Sequence, residues 1–423
     1  MQQSIIIIGA GAAGLFAART LSAAGHKVTV LEANDRIGGR IHTIHPAGFT
    51  QPIEEGAEFM HGKLPLTMQL LKEAGIEYQP VAGRFVQVKN GRWSDQEEFV
   101  VGWDELMDRM ADLKDDMTLA DFLQQYFPDD KYAPLRKSAQ RFAEGFDVAD
   151  PHDVSVFSIR NEWMNEQEEQ YRIPGGYNQL IQYLQNACTD NGCAIHTAST
   201  VKTVRWQPNR VEVITAANYT FSAQKLIITA PLGVLQAPGQ HTTAITFEPA
   251  IDAQIQAIQQ IGFGSVVKVL LHFSTPFWLE YRKDIGFLLS EENIPTWWTQ
   301  LPDTMPLLTG WVGGPQAARF KDTEEPAIVE QALQSLANIF SMQVEQIKGL
   351  LTASHVAKWQ TNSFSLGAYS YSKLFTEAAR KLLNQPVQDT IYFAGEGLYE
   401  GEAGGTVEAA LYSGCSVSKL LSS

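Results

Sequence analysis

One stretch near the amino terminus constrains this chain more than any other. Ile5-Ile6-Ile7-Ile8 is a continuous β-branched run, the pattern of a parallel strand covered on both faces. Gly9-Ala10-Gly11-Ala12-Ala13-Gly14 follows at once and opens an alanine-rich helix to about Ala24, with Gly25 at its end. Lys27 to Leu31 reads as a second strand. Glu32 stands at its carboxyl end, about 20 residues beyond the first glycine, as a dinucleotide fingerprint requires. The first glycine permits the tight turn, the second lets backbone N–H groups approach a pyrophosphate, and the third lets the helix pack closely on the strand. Glu32 is placed to accept hydrogen bonds from the adenosine ribose hydroxyls. The unit predicts a Rossmann-like domain of the α/β class; this motif alone leaves FAD and NAD both open.

The rest of the composition narrows the class. With 423 residues, two or three domains are expected, and 44% hydrophobic with 19% charged residues is ordinary globular usage. The net charge of −15 argues against a nucleic-acid partner. Three cysteines, Cys188, Cys193 and Cys415, give neither a disulfide framework nor a CxxC clip, so no metal is expected. No apolar run is long enough to span a bilayer, and the first strand begins at Ser4 with no room for a leader. The expected address is a reducing cytoplasm.

Beyond the first unit the chain is glycine-rich and irregular from Gly38 to Gly62, then mostly helical and acidic from about Pro65 to Asp150. Thr118 is a candidate cap for a helix that stops at Pro128. Gly175-Gly176 precedes a helix to Asp190, closed by Asn191-Gly192. Short strands follow at Val201 to Trp206, Val211 to Thr215 and Leu226 to Thr229. A helix Ile251 to Ile261 leads into the strand Ser265 to Phe273. The last stretch returns to a strand (Thr390 to Ala394), a glycine-rich loop and a closing helix from about Thr406. A helical segment between two strand–turn–helix stretches predicts domains built from non-contiguous pieces.

Glu32-Ala33-Asn34-Asp35-Arg36-Ile37-Gly38-Gly39-Arg40 adds a second glycine pair and a cation directly after the ribose acid. Here the chain resembles the flavin-containing amine oxidase family of monoamine oxidases, polyamine oxidases and lysine-specific histone demethylases, as a short, bacterial-type member. Asn34 departs from an arginine common in that family. Further blocks occur in the family's order. Glu55-Gly56-Ala57-Glu58-Phe59-Met60-His61-Gly62 resembles the segment beside the isoalloxazine ring, and Thr200-Val201 the strand that meets the adenine. Ala230-Pro231-Leu232-Gly233 is another family block. Phe393-Ala394-Gly395-Glu396 and Gly404-Gly405-Thr406-Val407 resemble the second FAD half-site. The resemblance implies FAD contacts from Gly9, Gly11, Ala13, Gly14, Glu32, Arg40, Gly56, Ala57, Glu58, Phe59, Val201, Trp359, Gly395, Glu396, Thr406 and Val407. It also implies an FAD domain of 1–64, 175–240 and 366–423. A substrate domain of 65–174 and 241–365 then supplies a mixed sheet plus helices.

Three residues carry the implied chemistry. Lys268 lies in Val266-Val267-Lys268-Val269-Leu270-Leu271, where alternation groups it with Val266, Leu270 and His272. That pattern alone equally suits a lysine facing solvent; the resemblance makes it the lysine that holds a water against flavin N5. Tyr369, in Leu366-Gly367-Ala368-Tyr369, matches the aromatic whose face meets the substrate amine. Ala368 replaces the cysteine that attaches flavin covalently in monoamine oxidases, so non-covalent FAD is expected. Thr406 replaces the second tyrosine of their aromatic pair. His61 falls where polyamine oxidases face the substrate channel with an acid or histidine. Asp95, Glu97, Glu98, Glu166, Glu168 and Glu169 suit solvated helix faces, or an entrance for polycations.

The implied function is an FAD-dependent amine oxidase that removes hydride from the carbon next to an amine nitrogen. The products are an imine, then an aldehyde, and hydrogen peroxide, with dioxygen as electron acceptor. Alternatives are an L-amino-acid oxidase or other FAD-dependent dehydrogenase on the same scaffold, although Glu58-Phe59-Met60 offers no arginine to clamp a carboxylate. A non-catalytic flavin-binding protein is a third.

Overall fold

The computed structural model describes residues 2–89, 91–95, 99–165 and 169–422. Glu97, Glu98, Glu166 and Glu168 therefore lie outside the described residues. Ser4–Ile8 is the middle strand of a five-stranded sheet ordered Ala194–His196, Lys27–Leu31, Ser4–Ile8, Lys225–Ile228, Ile391–Phe393. Every pairing in it is parallel. Such a sheet must be covered on both faces, which is why its strands are apolar runs rather than alternating ones. Ile5, Ile7, Val28 and Val30 pack beneath Leu15, Leu180 and Leu411, from the helices Ala12–Ala23, Asn178–Asp190 and Val407–Ser422. Ile6, Ile8, Leu226 and Ile228 pack on the opposite face against Val204, Val213 and Ile258. The sheet thus draws its strands from three separate stretches of the chain.

A second, seven-stranded sheet is mixed. Its order is Leu351–Lys358, Val266–Phe273, Leu307–Gly313, Thr296–Trp298, Ile285–Leu289, Arg84–Lys89, Arg92–Asp95. Val267, Val269, Leu271 and Phe273 face the helix Glu325–Phe340 through Leu333, Leu336 and Phe340. The alternate residues Val266, Lys268, Leu270 and His272 are buried too, so this strand is covered on both faces and the solvent-facing alternative for Lys268 is excluded. A third core is helical. It joins Trp103–Ala111, Leu119–Tyr126, Ala133–Gly145 and Val156–Met164, with the Thr118 hydroxyl accepting from the Asp121 N–H as the predicted cap.

Two expectations change. The 65–150 stretch is not helical throughout, because Arg84–Lys89 and Arg92–Asp95 form an edge hairpin. Its signals were present as the alternation that buries Val86 and Val88 and as the Asn90-Gly91 dipeptide. The expected helix 251–261 is Asp252–Gln259, and Ile261–Phe263 is a strand paired with Ser370–Ser372. Among the described residues no helix is long and apolar enough to cross a membrane.

The glycine turn generates a stability test. A Cβ on Gly14 would lie 2.0 Å from the Gly9 carbonyl oxygen, whereas one on Gly11 meets nothing within 4 Å. Gly14→Ala is expected to cost about 1–3 kcal/mol through forced separation of helix and turn. Gly11→Ala should stay within about 0.5 kcal/mol of wild type. Urea unfolding of the two flavin-free variants checks this; equal losses would mean the turn is not packed as described.

Candidate active site

A cavity of about 1110 Å³ runs from the carboxyl ends of the parallel strands to the Lys268 face of the mixed sheet. Ordinary ligand pockets span roughly 300–1,000 Å³, so this one has room for a large cofactor and a substrate together. Gly9, Gly11, Ala13, Glu32 and Val201 line one end. Gly9 holds φ +105°, a left-handed turn that favours glycine. Gly11 is the N-cap of the first helix with no side chain capping it, and its missing Cβ leaves open space at the first helical N–H groups. Gly14 is not on this wall; it packs behind the turn against Gly9, which corrects its expected place among the cofactor contacts. The buried Glu32 carboxylate accepts from the Ala10 N–H (2.7 Å) and from the Asn34 N–H and side-chain amide (2.9 and 3.0 Å). Two oxygens with about four acceptor positions keep capacity for a ribose.

Arg40 and Glu396 meet at 2.8 Å on the same cavity, and Arg40 also donates to the Ala368 carbonyl oxygen at 2.6 Å. Ser370 Oγ donates to the other Glu396 oxygen at 2.6 Å. Gly395, Thr406 and Val407 line the wall beside them, and Thr406 Oγ1 accepts from the Ala409 N–H to cap the closing helix. A bare helix N-terminus, a glycine-cleared approach, a ribose acid and a second helix N-terminus in one cavity fit FAD.

The segment from Ile53 to His61 straps this end to the mixed sheet. A Cβ on Gly56 would lie 1.8 Å from the Arg40 carbonyl oxygen, so only glycine passes there. Lys268 Nζ, 1% exposed, donates to the Glu54 carbonyl oxygen at 2.7 Å, to that of Gly56 at 3.3 Å and to Glu58 Oε2 at 2.7 Å. An ammonium has three protons, and all three are engaged. The water expected at Lys268 therefore has no free ammonium proton to accept in this arrangement. Glu58 Oε1 accepts from Trp298 Nε1 at 2.9 Å and pairs with Arg172 Nη2 at 3.1 Å. Burial opposes ionisation of Glu58, but Lys268 and Arg172 outweigh it and hold the carboxyl below the ordinary range. Glu58 lines the cavity, yet its carboxylate is committed to protein partners rather than left for the cofactor.

Glu55 is clasped on two sides. His42 Nδ1 donates to one oxygen and His355 Nε2 to the other (2.5 Å), while the Glu55 carbonyl oxygen accepts from Trp359 Nε1 at 2.9 Å. Burial pushes against the Glu55 anion, and the two histidines more than reverse it, holding the carboxyl at about 2. Glu54 goes the other way. Desolvation pushes its carboxyl up to about 7, against hydrogen bonds from Tyr177 N–H and Thr43 and the charge of Lys268.

Tyr369 lines the chamber beyond the strap, its OH donating to the Phe146 carbonyl oxygen at 2.6 Å, and burial keeps the phenol protonated. His61 lines the cavity and keeps an accessible face, while the protein packed around it desolvates the ring and pushes its pKa down to about 4. Apart from Gly14, every expected site residue lines this one cavity, including Ala57, Phe59, Trp359, Thr406 and Val407. The sequence reading missed Arg172, Trp298, Glu54 and Glu408. Glu408 accepts from the N–H groups of Leu66 and Thr67 at the start of the helix Pro65–Ala74. An acid-lined entrance does not form from Asp95, which pairs with Arg84 and Arg282, nor from Glu169, which takes the Tyr171 hydroxyl.

The model of the family described as flavin containing amine oxidoreductase matches residues 12–421. Lysine-specific histone demethylase 1B of Mus musculus is 26% identical over 93% of this chain, but the match spans only 50% of that protein. Probable polyamine oxidase 4 of Arabidopsis thaliana is 26% identical over 99% of this chain and 87% of its own length. Among solved structures, wild-type putrescine oxidase bound to putrescine superposes with a TM-score of 0.82 at 21% identity, covering 100% of this chain and 99% of that one. Cyclohexylamine oxidase from Brevibacterium oxydans IH-35A gives 0.80 at 22%, covering both chains fully.

The raised Glu54 carboxyl sets a pH signature. The folded state holds this proton between about 4.5 and 7 while the unfolded chain releases it, so stability from Glu54 falls as pH rises through that window. His61, pushed down, acts in the opposite sense between about 4 and 6.5. The difference between wild type and Glu54→Gln isolates the first effect. Wild type is expected to lose up to about 3 kcal/mol relative to the variant from pH 4.5 to 7. A pH-independent difference in urea unfolding free energy would contradict it.

Proposed function

The chain belongs to the flavin-containing amine oxidoreductase family, and from that premise we propose that it binds one FAD without a covalent bond and oxidises a primary or secondary amine. FAD, when bound, supplies the acceptor for the hydride that leaves the carbon next to nitrogen, and dioxygen then takes the electrons to give hydrogen peroxide. Gly11, Glu32, Arg40 and Thr406 would hold it. The observation that carries this reading is one cavity joining a dinucleotide cradle to a chamber walled by Tyr369, Trp298 and Trp311, with Lys268 at the junction.

The chamber's own groups favour a neutral amine nitrogen. Lys268, Glu58 and Arg172 sum to one positive charge, and a nearby cation disfavours a protonated amine. His61, with its pKa near 4, adds no charge at neutral pH. The Tyr369 ring offers a π face, and its hydroxyl is tied to Phe146, so the ring is held in place. An α-amino acid is disfavoured because Arg172, a candidate carboxylate clamp near the strap, is spent on Glu58 and on the Thr299 carbonyl oxygen. The liberated imine hydrolyses in water to the aldehyde. The three free thiols suit a reducing compartment such as the cytoplasm.

An anaerobic screen of amines tests the reading: bleaching of the bound flavin supports it, and no bleaching by any amine removes it. Acid precipitation should leave the flavin in the supernatant, because Ala368 offers no thiol for attachment; flavin retained in the washed pellet would disprove the non-covalent assignment. In Lys268→Met, Glu58 keeps Arg172 as counter-ion, so folding and FAD binding should survive. Flavin reduction, reoxidation or both should slow by about 10-fold or more. Stopped-flow rates matching wild type in both half-reactions would make Lys268 purely structural.

A further inference from the structure

Seven rings on the cavity wall form a closed circuit of contacts, each lining the cavity and each meeting the next. Phe59 touches Phe287 (5.7 Å between centroids), Phe287 stacks on Phe85 (4.5 Å), and Phe85 meets Phe99 edge-on (5.2 Å). Phe99 stacks on Phe142, and Phe142 on Phe146, both at 5.4 Å. His61 closes the circuit between Phe146 (6.0 Å) and Phe59 (6.1 Å). Trp298, against Phe59 and Phe287, links the circuit to Lys268, and the Phe146 carbonyl oxygen links it to Tyr369. The circuit therefore borders the Lys268–Tyr369 end of the cavity.

The collar is uncharged at neutral pH, since six members are phenylalanines and burial keeps His61 neutral. Each of four acids that line the cavity near it has a partner. Glu291 pairs with Lys137 and Arg141, Glu292 takes the Asn338 amide, Glu144 takes the Gln316 amide, and Glu162 is also engaged. Lys89, Lys137 and Arg141 line the outer wall as well and offset most of the charge of these four acids. A second ammonium among these rings would lose its water with no charged member of the circuit to replace it, and aromatic faces compensate only part of that loss. A hydrocarbon body gains from the same walls by burial and by stacked or edge contacts.

Resting on the amine-oxidising reading above, we propose that this collar selects an amine with a single nitrogen on an apolar body, cycloalkyl, arylalkyl or long alkyl, over a diamine or polyamine. Phe85 and Phe287, stacked within 7° of parallel, are its specificity-determining pair.

Hexylamine and 1,6-diaminohexane form a matched pair that differs only in the second nitrogen. With the FAD-loaded protein held anaerobically, hexylamine should bleach the flavin at a concentration about 10-fold or more below that needed for the diamine. Phe287→Ala, or Phe287→Leu should the alanine variant fold poorly, should shrink that ratio by weakening hexylamine and sparing the diamine. Equal or preferred reduction by the diamine overturns the collar assignment while leaving amine oxidation standing. An unchanged ratio in a folded Phe287 variant also overturns it. Bleaching by neither amine, nor by 2-phenylethylamine or methylamine, removes the amine-oxidising reading and the collar assignment with it.

Discussion

The buried carboxylate of Glu58 is the interaction on which the rest of the site depends. It is held by three groups from separate parts of the chain: Lys268 from the second strand of the mixed sheet, Arg172 from the short strand Gln170–Arg172, and the indole N–H of Trp298 from a third strand. Burying such charges costs several kcal/mol each, so the knot is tolerable only because every charged atom finds a close partner. Its consequence is geometric. The strap leaves the glycine-turn end through Gly56, which Arg40 packs too tightly for any side chain, and is pinned to the mixed sheet one residue after Ala57.

The other ties along the strap work with that pin. His42 and His355 clasp Glu55 from opposite sides, Trp359 holds its carbonyl, and Lys268 takes the carbonyls on either side of it. Arg40, locked to Glu396, closes the frame from the far end of the chain. Two consecutive acids therefore live in opposite electrostatic worlds. Glu55 is held ionised by its histidines, while Glu54, desolvated and met by weaker donors, keeps its proton to near neutral pH. On the proposed reading, the surplus positive charge of the Glu58 knot disfavours a protonated amine and stabilises an electron-rich cofactor.

Much of this was legible in the residues. The Ile5–Ile8 run, the glycine spacing and Glu32 specify the first unit because they act locally, through backbone conformation and a strand covered on both faces. The return of Phe393-Ala394-Gly395-Glu396 near the end implied a domain built from distant pieces. What was not legible is pairwise. Nothing in Gln170-Tyr171-Arg172 signals that its guanidinium meets a carboxylate more than a hundred residues earlier, and nothing in Glu55-Gly56-Ala57-Glu58 separates an acid facing the cofactor from one consumed by a lysine. The aromatic collar was invisible for the same reason. Its rings come from separate elements, and phenylalanine in a strand or helix reads first as core. The edge pair Arg84–Lys89 and Arg92–Asp95 is different, since its alternation and the Asn90-Gly91 dipeptide were present in the sequence and were overridden by the helical character around them.

The central claim is that Glu58 and Lys268 act as one unit, and a double-mutant cycle on the flavin-free protein tests it most directly. Urea unfolding of Glu58→Gln, Lys268→Met and the double variant gives their coupling energy. The account predicts a coupling of about 1–3 kcal/mol, because removing the lysine relieves part of the damage done by removing its counter-ion. Losses that add within about 0.5 kcal/mol would show two independent residues and contradict it.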